Sequence, residues 1–284
     1  MSSVDFFTVV TLSAASNCLL ALAFGVLFRH DGFFNFVVAA AFAVSAYGYV
    51  VADQLQVGTV PGLIFSFFFA YLLVLPTNLI NEHFRKGTGS QTLALLIISF
   101  AWYSAADPIL SVLFGSSSRT LAVTRSGIEG LPGGYFGLQG VATVYFLLAL
   151  GLIACVHLLY TTTPLGLRLR ATSSDRTLVA SLGYSRFRVA NSVGILASFL
   201  IAVSSFVYSS MSQVNPQMGV HALQTGLVVW LLVGSRSVYL IALAGLFTAF
   251  VQHAVNWFGP AGWGTFIYMF IILLAFLLKR KTVA

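Results

Sequence analysis

The sequence carries very little charge. Only 7% of its 284 residues are Asp, Glu, Lys or Arg, whereas about a quarter of the residues of a soluble domain are charged. Hydrophobic residues make up 58% of the chain, and they form runs of about 20 residues, enough for an α-helix to cross a bilayer. Polar and apolar residues do not alternate in these runs as they do in barrel strands. We therefore expect an all-α fold: one polytopic transmembrane helical bundle spanning residues 1–284.

The sequence also lacks the residue clusters that carry catalysis or bind metals. Its two cysteines, Cys18 and Cys155, lie in apolar runs without a spacing motif, which predicts small buried side chains. Its five histidines never stand three or four residues apart, so no metal site is expected. A nucleotide-binding Gly-x-x-x-x-Gly-Lys loop is missing as well. We therefore expect no catalytic residues, and any ATP that drives the protein would have to bind another chain.

The apolar runs predict nine spans, and the basic residues predict their orientation. With the N-terminus outside, twelve of the 14 basic residues fall in inside loops, and only Arg119 and Arg125 fall outside. Because Lys and Arg favour cytoplasmic loops, we predict an outside N-terminus and a cytoplasmic C-terminus, and no role in binding nucleic acid. The predicted spans cover residues 6–28, 34–52, 59–80, 92–115, 139–160, 188–209, 218–234, 237–256 and 262–278.

The seventh span, 218–234, is short and contains His221 and Gln224. A re-entrant segment is the alternative, but it would move Lys279–Lys281 to the outside, which the charge pattern disfavours.

The longest inside loop, residues 161–187, holds the densest group of charges in the chain. Ser174 or Asp175 can cap the N-terminus of a short helix, and Gly183 suits the left-handed position that ends one. The apolar face of this helix would contain Leu178, Val179 and Leu182. A helix of about two turns is not stable alone in water. Its apolar face therefore needs a cover, either a soluble partner or the chain's own bundle and the lipid headgroups.

Other residues of this loop form a recognisable pattern. An Arg-Ala pair, Arg170-Ala171, is followed by Asp175 and, eight residues later, by Gly183, and the Thr163–Gly166 segment (Thr-Pro-Leu-Gly) precedes it. This order resembles the cytoplasmic loop of the branched-chain amino acid permease family of ABC importers. The resemblance implies a coupling helix that sits in a cleft of the ATP-hydrolysing subunit. The coupling residues implied are Arg170, Ala171, Asp175, Arg176, Leu178, Val179, Leu182 and Gly183.

Two further stretches match the same family in order and spacing. Gly32, Asn35, Phe36 and the Ala46-Tyr47 pair are similar to its Gly-x-x-Asn-Phe…Ala-Tyr stretch, and Asn215–Gly219 is similar to its Pro-x-Met-Gly. The sequence departs from the family pattern where Val38-Ala39 replaces a His-Gly pair, where Ser45 and Ser235 replace glycines, and where Leu178 and Val179 replace small residues.

The resemblance implies a permease subunit in a bacterial inner membrane, which would move a branched-chain amino acid or a similar small polar metabolite. The implied partners are ABC ATPase subunits that bind the ATP and Mg²⁺, a second permease subunit (a copy or a paralogue), an external substrate-binding protein and the lipid bilayer. We expect Asn35, Phe36, Asp107, Met218 and Gln224 to line the translocation path.

Asp107 is the only acidic residue well inside a predicted span. A charged carboxylate at such a depth costs about 3 kcal/mol on insertion scales, so Asp107 is expected to face the bundle or a water-filled path. It could bind the amine of a zwitterionic substrate, or be a protonated side chain bonded to a neighbouring helix. An ion-coupled secondary transporter is the alternative function, but a single intramembrane acid gives it little support. The hypothesis of a membrane-embedded enzyme has even less support, because the sequence lacks a cluster of catalytic residues.

Overall fold

The computed structural model describes residues 3–84, 91–120, 137–174, 185–210, 212–233, 237–258, 263, 266–270 and 273–274. These residues contain no β-strand, and residues 266–270 are helical, so the prediction of an all-α chain is confirmed. Nine helices have both ends within the described ranges: α1 (Ser3–Asp31), α2 (Val37–Gln54), α3 (Thr59–Phe84), α4 (Gln91–Phe114), α5 (Gly137–Thr162), α6 (Pro164–Ser174), α7 (Arg186–Ser209), α8 (Met218–Val233) and α9 (Val238–Phe258).

Seven of these helices, α1 to α5, α7 and α9, are long and apolar enough to cross a bilayer. Helix α8 is apolar over Met218–Val229 but shorter. The ninth predicted span, 262–278, falls largely outside the described residues. The chain is therefore a multi-pass membrane protein, while the count of nine spans and the orientation of the termini stay predictions.

The centre of the bundle is formed by α1, α2 and α7. Their most apolar windows are 83%, 78% and 72% buried, against 22% for α4 and for α5. Small side chains explain this position, because lipid tails are as apolar as leucine and only close approach favours contact between two membrane helices. Helix α2, for example, begins with Val-Val-Ala-Ala-Ala. The central helices thus meet along small side chains such as Ala and Ser, while α3, α4, α5 and α9 surround them.

Serine hydroxyls join the central helices through hydrogen bonds to backbone carbonyls. Ser16 Oγ of α1 donates to the Ser204 carbonyl of α7 at 3.0 Å, and Ser204 Oγ donates back to the Ser16 carbonyl at 2.8 Å. Ser205 Oγ donates to the Phe42 carbonyl of α2 at 3.0 Å. Within a membrane, such interhelical bonds stabilise packing by about 1 kcal/mol each. They therefore tie α1, α2 and α7 into one unit.

Glycines allow the outer helices to approach this unit. A Cβ added at Gly48 of α2 would lie 2.9 Å from backbone atoms of Phe65 and Ser66 in α3. A Cβ at Gly194 of α7 would lie 2.5 Å from the side-chain nitrogen of Asn78 in α3. Asn78 Nδ2 in turn donates to the Ala190 carbonyl at 3.1 Å. Helix α3 therefore packs closely against both α2 and α7.

Contacts between loops agree with helices that alternate in direction. The backbones of Arg119 and Val214 exchange two hydrogen bonds of 2.8 Å, which joins two connections predicted to lie outside. The Arg29 guanidinium stacks over the Tyr160 ring at 5.5 Å, which joins the ends of α1 and α5, both predicted to lie inside.

The two cysteines differ in their surroundings. Cys18 is buried, and its thiol donates to the Ala242 carbonyl at 3.1 Å. Cys155 is exposed on α5, so the prediction that it is buried was wrong. Helix α5 lies at the periphery of the bundle, and an apolar run does not indicate which of its faces meets lipid.

We expect Gly48→Ala to lower the thermal unfolding midpoint of the detergent-solubilised protein. The added methyl group meets backbone rather than a movable side chain, and overpacking of this kind costs about 1–3 kcal/mol. The matched control is Gly151→Ala, because nothing lies within 4 Å of a Cβ at Gly151 and alanine favours helix by up to about 1 kcal/mol. Equal midpoints for the two variants would contradict the close α2–α3 approach.

Candidate functional site

One face of α2 and the turn before it carries aromatic residues at its ends and small residues between them. Phe36, Ala40, Ala43 and Tyr47 are spaced by four, three and four residues, so they lie on one side of the helix. Helix α4 faces this side, with the Phe100 ring 5.4 Å from the Phe36 ring and the Phe114 ring 4.7 Å from the Tyr47 ring. The two aromatic contacts hold α2 and α4 together above and below the alanines.

The start of α8 packs against both α2 and α4. A Cβ added at Gly219 would lie 3.1 Å from the Ala39 carbonyl oxygen of α2 and 3.3 Å from the Tyr103 ring of α4. A glycine at this position lets the backbone of α8 come close to both helices without displacing them. The neighbouring Met218 is buried in the core.

A cavity of about 140 Å³ lies between these three elements. Its floor is formed by Ala40 and Ala43, and its polar lining includes Ser104, Asp107 and Gln217. Ser104, Pro108 and Gln217 are exposed, so the cavity is open to the side of the bundle, about two turns from the C-terminal end of α4. The structure therefore places the one acidic residue of the α4 span in a cavity.

Hydrogen-bond acceptors converge on this cavity. The Asp107 carboxylate accepts a bond of 3.3 Å from Ser111 Oγ, one turn further along its own helix. Pro108 has no N–H, so the carbonyl of Ser104, four residues earlier, has no donor from the helix ladder. Ser104 and Pro108 both line the cavity. Asp107 and this carbonyl together make its α4 wall rich in acceptors.

A cation lies at the C-terminal end of α4. Arg119, in the connection after α4, has its guanidinium bonded to the Phe114 carbonyl and its backbone paired with Val214. Nothing in the sequence spacing of Arg119 and Val214 shows that their two connections pair.

The other predicted path residues lie in different positions relative to the cavity that contains Asp107. Phe36 contacts Tyr103 at 6.4 Å between ring centroids, and Tyr103 lines the cavity. Met218 lies between Gln217 and Gly219, which also line it. Gln224 follows Val220, a lining residue, by one helical turn. Of the predicted path residues, only Asp107 lines the cavity; Phe36 contacts a lining residue, Met218 is buried in the core, and Gln224 lies further along α8.

Asn35 belongs to a different polar cluster, at the end of α1. Its Nδ2 donates to Asp31 Oδ2 at 2.9 Å, and its Oδ1 accepts from the Val37 backbone N–H at 3.0 Å. His30 Nδ1 lies 3.2 Å from Asp31 Oδ1, and all three side chains are buried. Asn35 thus fixes the turn between α1 and α2, and sequence reasoning did not connect it with Asp31.

Two further histidines also make contacts within the bundle. The His221 ring of α8 stacks on Tyr208 of α7 at 4.4 Å, and His253 of α9 is hydrogen-bonded to Ser13 of α1. Among the described residues no group of three or more His, Cys, Asp or Glu is placed to hold a metal ion.

The predicted coupling loop is described only in part. Arg170 and Ala171 lie in α6, whereas Asp175, Arg176, Leu178, Val179, Leu182 and Gly183 fall outside the described residues. The helix expected after Ser174 is therefore untested, and Ser174 is the last residue of α6.

Helix α6 itself was not predicted, although its start has a clear sequence signal. Thr163 Oγ1 accepts from the Gly166 backbone N–H at 3.1 Å, which is an N-cap bond, and Pro164 occupies the first helical position that proline favours. A Cβ at Gly166 would lie 2.1 Å from the Leu159 carbonyl oxygen. Gly166 therefore allows the sharp turn from α5 into α6.

Residues 7–277 match the family model described as the branched-chain amino acid transport system / permease component. The chain belongs to this family. It is thus a transmembrane permease of the ABC transporter class, and the resemblance seen in the sequence is confirmed.

Two other comparisons add less. No curated protein matches the chain. Among solved structures, the chain is similar to PsaBC from Streptococcus pneumoniae in complex with Fab, at 14% sequence identity and a TM-score of 0.49, over 96% of this chain and 90% of that one.

We expect Asn35→Ala to destabilise the protein by about 1–3 kcal/mol, because it removes two hydrogen bonds and leaves the buried Asp31 with one partner fewer. The thermal unfolding midpoint in detergent measures this loss. Gln213→Ala is the control, since Gln213 is exposed. If the two variants melt alike, Asn35 does not stabilise the turn between α1 and α2.

Proposed function

We propose that this chain is the membrane permease subunit of an ATP-driven importer, which forms the translocation path for a branched-chain amino acid or a similar small polar metabolite. It couples to a separate ATPase subunit that binds ATP and Mg²⁺. An external substrate-binding protein delivers the substrate. The family match over residues 7–277 supports this class of function, and the chain lies in a bacterial inner membrane with its C-terminus in the cytoplasm.

The single observation that carries the proposal is the position of Asp107. Its carboxylate lies in a polar cavity that opens sideways within a span, with exposed Ser104, Pro108 and Gln217 around it. Lipid tails offer no hydrogen-bond partners to such groups. A second permease subunit, either a copy or a paralogue, therefore packs over the opening and turns the cavity into a path enclosed by two chains.

The path follows the groove between α2, α4 and α8. It passes from the Asp107 cavity along the Tyr103, Phe100 and Phe36 rings, which contact one another in turn, toward the α1–α2 turn that holds Asn35. Aromatic rings in contact at one level of the groove would exclude water until the helices move. We assign them the role of a constriction between the outer cavity and the inner end.

The coupling surface lies at the opposite end of the groove from Asp107. Helix α6 carries Arg168 and Arg170, and the basic residues of this loop are expected on the cytoplasmic side. The ATPase subunit binds the loop from Arg170 to Gly183. When the ATPase subunits close, the loop transmits the movement to α5 and α7, the helices on either side of it.

We expect a nucleotide-binding subunit to co-purify with the chain from mild detergent when the two are expressed together. The variants Asp175→Ala and Gly183→Val, which remove the predicted helix cap and the predicted helix end, should lose this subunit while the spans remain inserted. Gln213→Ala, in a connection predicted to lie outside, should retain it. Full ATPase coupling in Asp175→Ala and Gly183→Val would refute the coupling-helix assignment.

We expect Asp107→Asn to reduce substrate uptake at least tenfold without loss of the assembled complex. Asparagine keeps the shape and can still accept the Ser111 bond, but it lacks the charge, and hydrogen bonds to charged groups contribute about 1.5–3 kcal/mol. Uptake of radiolabelled substrate into proteoliposomes measures the effect. The control is Asp53→Asn, which removes an acid from the end of α2 outside the cavity; normal transport by Asp107→Asn would leave Asp107 a structural role only.

A further inference from the structure

We propose that a second cavity, between α6 and the start of α7, binds the head group of an anionic phospholipid, with the lipid phosphate at Arg168 and Arg188. This cavity has a volume of about 500 Å³ and shares no lining residue with the one that contains Asp107. Its volume lies within the range of about 300–1,000 Å³ that is typical of small-molecule sites. The inference does not depend on the substrate of the permease.

The described lining of this cavity is positively charged. Arg168 belongs to α6 and Arg188 to the first turn of α7, and both line the cavity. Neither helix contains an Asp or a Glu. A guanidinium has five N–H donors in a fixed fork, which suits the oxygens of a phosphate. Each arginine can therefore hold a phosphate oxygen in addition to a contact within the protein, and the charge favours an anionic occupant.

The N-terminus of α7 adds backbone donors at the same place. Ser185 is the N-cap residue, and its side chain makes no capping hydrogen bond. The first bond within the helix runs from the Val189 N–H to the Ser185 carbonyl, so the earlier N–H groups of the first turn have no partner in the helix. Phe187 and Arg188 of this turn line the cavity. Free N–H groups and the positive end of a helix dipole favour phosphate, so both the side chains and the backbone point to the same ligand chemistry.

The depth of the cavity distinguishes a lipid from a soluble partner. The membrane span of α7 begins at Phe187, and the cavity is lined as far along this span as Asn191 and Ser192. From Ser185 to Ser192 the helix rises about 10 Å, at 1.5 Å per residue. A soluble protein domain does not follow a helix to this depth in the bilayer, whereas the glycerol and upper acyl chains of a lipid lie there.

Apolar side chains beside the arginines fit these parts of a lipid. Leu165 of α6 and Phe187 of α7 line the cavity and are exposed, and Leu167 of α6 is exposed as well. Exposed apolar residues next to basic ones are typical of a helix that lies at the membrane interface. Asn191 Oδ1 accepts a bond of 2.6 Å from the Tyr71 hydroxyl, so the N–H groups of its amide can donate to an ester carbonyl of the lipid.

The predicted orientation places this end of the bundle on the cytoplasmic side. Basic pockets between membrane helices on that side bind anionic head groups. A lipid in this cavity contacts both α6 and α7, and it therefore joins the two helices between which the predicted coupling loop runs.

The experiment measures lipid binding to the permease with its co-purifying subunits, by native mass spectrometry from mild detergent. The two lipids are phosphatidylglycerol, which is anionic, and phosphatidylcholine, which is zwitterionic, with identical acyl chains. We expect phosphatidylglycerol to bind at least about tenfold more tightly, because each nearby arginine contributes roughly a factor of five. Equal affinity for the two lipids would overturn the proposal.

Free anions and the ATPase subunit are tested as competitors for the same cavity. We expect phosphatidylglycerol to stay bound in excess inorganic phosphate and in excess glycerol 3-phosphate, because neither has acyl chains to contact Leu165 and Phe187. Displacement by either anion would make the cavity an anion site and refute the lipid. Phosphatidylglycerol should also stay bound when the ATPase subunit is present, and its release on assembly would assign the cavity to that subunit instead.

Variants assign the lipid phosphate to its residues. Arg168→Gln and Arg188→Gln should each lower the preference for phosphatidylglycerol over phosphatidylcholine about fivefold, whereas Arg168→Lys and Arg188→Lys should keep most of it. Phe187→Ala should weaken both lipids alike. The control is Arg119→Gln, which removes the same charge at the predicted outer side and should keep the preference of the unaltered protein.

The preference is a ratio of two affinities within one variant, so a partial loss of folded protein changes both values alike. If Arg168→Gln and Arg188→Gln keep the preference, the lipid site is wrong. That result leaves the importer assignment standing, because uptake and co-purification of the ATPase test it separately.

Discussion

The whole structure depends on the close contacts that α7 makes with α1 and with α2. Lipid provides no hydrophobic force between helices, so these contacts rely on small side chains and on hydroxyls that donate to backbone carbonyls. The reciprocal pair of Ser16 and Ser204 and the bond from Ser205 to Phe42 show both features. Without this central unit, the peripheral helices would have no common surface on which to pack.

The cavity follows from the same packing. Helix α2 uses one side for its contacts with α3 and α7 and the other for α4 and α8. The small alanine side chains also leave space between α2 and α4, which the Phe36–Phe100 and Tyr47–Phe114 contacts hold together on either side. A polar cavity at membrane depth is thus a consequence of aromatic rings on either side of Ala40 and Ala43. Asp107 and the Ser104 carbonyl give that space its chemistry.

Much of the fold could be predicted from the sequence, because the length and polarity of a membrane helix depend on residues that are consecutive in the chain. The predicted spans agree with the long apolar helices within a few residues at most ends, for example 92–115 against Gln91–Phe114. Asp107 could be singled out for the same reason, since a lone acid in an apolar run has no other explanation than a polar surrounding. Helix α6 shows the opposite case. Its Thr163-Pro164 start is a local N-cap signal, although no apolar run of membrane length marks the helix.

The sequence by itself determined which segments form long apolar helices, that they belong in a membrane, and to which family they belong. Only the tertiary structure decided which helices lie at the centre, that Cys155 faces outward, that Ser16 meets Ser204, and that the Arg119 backbone pairs with Val214. The physical reason is the range of the forces involved. Span formation depends on the transfer of neighbouring residues into lipid, whereas these contacts join residues that are close only after the helices have packed.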